Sequence, residues 1–80
     1  MSSVMITQEV AVADNEEFKP FVTVIHQFGG YYAIVMAWNR REELYEVAKE
    51  YRRSKGHKSR TDAEMYAEKL AQNLGMETRL

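Results

Sequence analysis

The chain has 80 residues, 45% hydrophobic and 29% charged, with a formal net charge of −1 and no cysteine. This describes one domain, 1–80, near the lower size limit for unaided folding and too apolar to be disordered throughout. The missing cysteines exclude disulfides, thiolate nucleophiles and cysteine zinc sites, so stability must come from the core or from oligomerisation. Small secreted domains usually depend on disulfides, which makes a cytoplasmic, intracellular setting the simpler expectation. The longest apolar run, Tyr31 to Trp38, is too short to span a bilayer, and the first residues lack the basic start of a signal peptide. No membrane partner is expected.

Taken in chain order, residues 4–12 place Ile6, Val10 and Val12 on one side of an extended chain, which predicts a third, edge strand. Residues 14–19 form a polar connector, and Pro20 can open a strand but not sit inside one. Residues 21–27 and 31–38 are rich in β-branched and aromatic residues and read as a hairpin. Phe28-Gly29-Gly30 lies between them, with adjacent glycines to supply positive φ. The second strand carries Tyr32, Ile34, Met36 and Trp38 on one face and Tyr31, Ala33, Val35 and Ala37 on the other. Both faces are apolar, so either helices cover both or one face is an interface.

Residues 40–54 fit two patterns. Leu44, Val47, Ala48 and Tyr51 form a helical stripe, Asn39 with Glu42 resembles a capping box, and Gly56 suits a helix stop. As a strand, Tyr45, Val47 and Tyr51 share a face that Lys49 interrupts. Helix propensity favours the helix. Residues 61–74 predict a second helix, with Thr61 as cap, Glu64 completing the box and Gly75 as stop. Its buried stripe would be Ala63, Tyr66, Ala67, Leu70, Ala71 and Leu74. Residues 76–80 are a tail or a short final strand. The expected class is α+β: a small antiparallel sheet packed against the C-terminal helix.

Charge is unevenly distributed along the chain. Residues 1–18 hold Glu9, Asp14, Glu16 and Glu17 and no base, whereas 52–60 hold Arg52, Arg53, Lys55, Lys58, Arg60 and His57 and no acid. The five cations are candidate contacts for an anion or a nucleic acid. The free amides of the following helix start would add anion affinity, and Tyr51 is a candidate for stacking on a base. A solvated linker is the competing account of such a charge cluster.

Gly56-His57-Lys58-Ser59-Arg60-Thr61-Asp62-Ala63, followed by Tyr66-Ala67, resembles the last-helix region of double-stranded-RNA-binding domains. There, a glycine loop and a basic helix start touch phosphates across a groove. The resemblance implies phosphate contacts from Lys58 and Arg60. It covers about a quarter of the chain. Thr61 stands where that pattern has its second lysine, and Glu64 where a lysine follows the first alanine.

Other constellations are weaker. His26 and His57 lack ligand spacing with each other or with a carboxylate, and Asp14, Glu16 and Glu17 fit no calcium loop. Gly29-Gly30 is turn chemistry, since no Gly-Lys-Ser/Thr follows. No metal, cofactor or catalytic residue is expected, and an enzyme is the last-ranked class. Tyr31, Tyr32, Met36, Trp38, Tyr45 and Tyr51 are candidates for a protein interface, because aromatics and methionine are enriched there. The terminal Thr78-Arg79-Leu80 also fits a carboxylate-capture ligand. The expectation is a small non-enzymatic protein that modulates a larger macromolecule, with a protein partner or a homodimer. Chains of this size are common among phage and mobile-element regulators and inhibitors. The alternative is a nucleic-acid-binding module using 52–60.

Overall fold

The computed structural model describes residues 18–80. The strand expected over 4–12 lies outside the described residues. The remainder is α+β: a mixed four-stranded sheet with one helix near the C-terminus. The strands are β1 (Phe21–Gln27), β2 (Gly30–Asn39), β3 (Leu44–Val47) and β4 (Glu77–Thr78), and the helix α1 spans Arg60–Leu74. The sheet order is β3-β2-β1-β4. β1, β2 and β3 are antiparallel neighbours, whereas β4 returns parallel to β1, pairing Glu77 with Phe21 and Thr78 with Val22.

Pro20 directly precedes β1, where its missing N–H costs the ladder nothing. Register pairs Gln27 with Gly30, so the turn residues are Phe28 and Gly29, both with positive φ (51° and 75°). The positive φ expected of the glycine pair therefore falls one residue earlier, and Gly30 belongs to β2.

The helix expected over 40–54 does not form, although its start signal works. Asn39 Oδ1 accepts from Arg41 N (2.9 Å) and Glu42 N (3.0 Å), and Asn39 O accepts from Glu43 N (2.7 Å). The turn then ends, because Glu43 takes a left-handed φ of 56°. The open edge of β2 wins the next residues, pairing Leu44 with Asn39, Tyr45 with Trp38 and Val47 with Met36. A two-stranded hairpin is marginal alone, so a third strand gains more than one isolated helical turn would. Of the expected stripe, Leu44 and Val47 are 45% and 48% exposed, and only Ala48 is buried.

Residues 48–57 continue along the same edge of β2 without regular pairing. Ala48 N donates to Val35 O, Ser54 N to Ala33 O, and Tyr31 and His57 exchange two backbone bonds. Ser54 fastens this segment: its buried hydroxyl accepts from Ala33 N (2.9 Å) and donates to Lys55 O (2.8 Å). Gly56 is not a helix stop. A Cβ there would lie 3.1 Å from Tyr32 Oη, so glycine lets the loop close over that ring.

The cap of α1 is Ser59, not Thr61: Ser59 Oγ accepts from Asp62 N (3.1 Å), and Thr61 is an exposed helical residue. Both residues can cap, and the loop's attachment to β2 through His57 sets which one arrives first. Gly75 ends the helix at φ 68°, its N–H shared between Ala71 O and Gln72 O. Ala67 and Ala71 pack against Val22, Ala33, Val35 and Ala48, with Val24, Tyr51, Leu70, Leu74 and Met76 around them. Small residues on both sides bring the helix close to the sheet. Tyr66, expected in the buried stripe, is instead exposed.

Candidate functional site

The pairing register sorts the strand side chains onto two faces. Val22, Val24, Ala33 and Val35 face α1. On the opposite face no helix of the described residues packs. That face carries Phe21, Thr23 and Ile25 from β1, Tyr32, Ile34, Met36 and Trp38 from β2, and Tyr45 and Val47 from β3. Ile34 at its centre is 2% exposed, while most of its neighbours are half-buried. Of the candidate interface residues, Tyr32, Met36, Trp38 and Tyr45 therefore share one surface. Tyr31 lies on the helix side near the hairpin tip, and Tyr51 packs against the core.

At the Trp38 end the rings are packed on one another. Phe18 stacks on Trp38 at 3.8 Å, while Tyr45 meets Trp38 edge-on at 5.2 Å and Phe21 at 4.8 Å. Tyr45 Oη donates to Lys19 O (3.1 Å), which ties the chain entering β1 to this cluster. The Arg79 guanidinium lies 4.3 Å from the Phe21 ring centre and donates through Nε to Glu77 Oε2 (2.7 Å). That bond to Glu77 raises the Arg79 pKa further above its ordinary value. Thr23 Oγ1 donates to Arg79 O (2.6 Å), holding the terminal segment against β1.

The hairpin-tip end is organised differently. Arg53 lies 4.7 Å from the Tyr32 ring centre and donates to Gln27 Oε1 (3.1 Å). Tyr31 stacks on His26 at 4.4 Å and has Arg60 at 5.6 Å. Here rings are packed on cations and imidazole. All five candidate cations (Arg52, Arg53, Lys55, Lys58 and Arg60) are exposed, and none forms an ion pair with a described acid. One acid shares the region: Asp62 lines a shallow groove with Lys55, His57, Met65, Tyr66 and Lys69. His57 Nε2 is buried without a partner, its ring 5.6 Å from that of Tyr66.

No family model, no curated protein and no solved structure matches this chain. The resemblance to double-stranded-RNA-binding domains therefore rests on residues 56–67 alone, and the functional argument rests on the two surfaces. Among the described residues no three His, Cys, Asp or Glu side chains are placed to hold a metal ion. No described helix is long and apolar enough to cross a membrane.

Sequence reasoning missed Phe18, Phe21 and Arg79 at one end and Phe28 at the other. Arg79 reaches Phe21 across 58 positions through the parallel β1–β4 pairing, which no local pattern announces. Phe28 was legible in principle: a two-residue turn of Phe28-Gly29 would put an aromatic where asparagine is usual.

Proposed function

We propose that the chain is a non-enzymatic binding module that modulates a larger protein by docking the sheet face opposite α1 onto it. The observation that carries this reading is the charge pattern of that face. Its β1, β2 and β3 positions hold no carboxylate, and arginines frame both ends, Arg53 over Tyr32 and Arg79 over Phe21. Glu77 on β4 adds one acid, already tied to Arg79. An apolar centre with cationic rims suits a partner that presents apolar side chains among acidic ones. A second copy fits poorly, because any face-to-face pairing would set arginine against arginine. Base stacking at the Trp38 end is also disfavoured, since Phe18 already occupies that ring.

Ile25→Glu and Val47→Glu test this, because each adds a charge to the face at a position that is not fully buried. A partner captured from nuclease-treated lysate should be purified and its affinity measured against these variants. Both should fold as the parent does and bind about tenfold or more weakly, because a buried unpaired charge costs several kcal/mol. Sedimentation should show the pure parent as a monomer. A dimer dissociated by Val47→Glu, or a partner indifferent to both variants, would overturn the reading.

A further inference from the structure

Phe28 holds the first central position of a turn in which φ is positive at both residues. Such turns favour Asn or Asp followed by Gly, and a bulky side chain is strained there. Burial does not offset the strain, because Phe28 is 87% exposed, the most exposed of the large apolar side chains described. The chain thus gives up turn stability to present a bare ring at the outermost point of the hairpin.

A cation-bearing segment is fastened beside that hairpin end on a fixed backbone. The segment carrying Arg53, Lys55 and Lys58 is fastened to β2 by the two Tyr31–His57 bonds (2.8 Å each) and by Ser54. Arg53 is bonded to Gln27, the residue before Phe28. Arg60, at the helix start, lies over Tyr31.

We propose that the hairpin tip is a binding site for single-stranded nucleic acid. Phe28 stacks on an unpaired base, and Arg52, Lys55, Lys58 and Arg60 hold the flanking phosphates. An aromatic platform beside tethered cations is how single strands are gripped without sequence preference. An intact duplex offers no unstacked base to the ring, and a single exposed ring is a poor membrane anchor. This site uses none of the residues tested on the sheet face, so the two proposals can fail separately.

The test is fluorescence anisotropy with a labelled oligouridylate of about 12 nucleotides, beside an RNA duplex of the same length and phosphatidylserine vesicles. Four phosphate contacts predict that affinity for the single strand falls about 50-fold between about 50 and 200 mM salt. Phe28→Asn should raise the urea midpoint, because asparagine suits the turn, yet weaken oligonucleotide binding about tenfold. Phe28→Leu, apolar but without a π-face, should bind as weakly as the asparagine variant. Lys55→Glu with Lys58→Glu should weaken binding further, and Val47→Glu, on the sheet face away from the tip, should leave it unchanged. The proposal is overturned if the parent fails to bind the single strand at low salt, if both Phe28 variants bind as the parent does, or if duplex or vesicles are preferred.

Discussion

The two ends of β2 use aromatic residues in opposite ways. Around Trp38 the rings of Phe18, Phe21 and Tyr45 pack on one another, and Arg79, over Phe21, is paired with Glu77. Around Tyr31 and Tyr32 the rings support Arg53, Arg60 and His26, while the nearest apolar ring, Phe28, packs on nothing. A ring packed on rings contributes stability. A ring under an arginine orients a charge while leaving it exposed. The same residue types therefore hold the fold at one end and present chemistry at the other.

The sharpest way to break this comparison is Trp38→Ala. Removing the ring that Phe18 and Tyr45 pack on should cost about 3 kcal/mol of stability by urea denaturation. It should leave the remaining folded protein's oligonucleotide affinity unchanged. A loss under about 1 kcal/mol would mean that the Trp38 end is not structural, and the contrast between the ends would fail.

A smaller and opposite effect is expected from Ser54→Ala. It strips the partner from the buried Ala33 N–H and should cost about 1.5 kcal/mol. It should also loosen the loop that carries Lys55 and Lys58, so that amide exchange accelerates over 54–58 and not at 36–39. Oligonucleotide binding should weaken a few-fold although no charge has been removed. Equal acceleration at both ends would show that the loop is not an independently fastened unit.

The hairpin, the C-terminal helix and its Gly75 stop were legible because each combined a strong periodic pattern with a boundary residue. The strand at 44–47 was not. Asn39 carries a real capping signal, and the Leu44–Tyr51 stripe has helical spacing. The competing gain was pairing with the free edge of β2, which only the assembled sheet reveals. Ser59 and Thr61 were indistinguishable as caps from composition, and the register of the loop on β2 decided between them. The five cations singled out in the sequence are all exposed. The orienting partners of Arg53 and Arg60, namely Gln27, Tyr31 and Tyr32, lie more than 20 residues away in sequence. Tyr31 and Tyr32 were grouped as interface candidates by residue type, although strand alternation sends them to opposite faces.

The division of labour between the two ends is tested most directly by following backbone amides and the Trp38 indole N–H by NMR while oligouridylate is added. The account predicts shifts that saturate together at Phe28, Tyr31 and 52–60, with the Trp38 indole and 44–47 unmoved. Saturable shifts centred on Trp38 and Tyr45, with Phe28 unaffected, would contradict it.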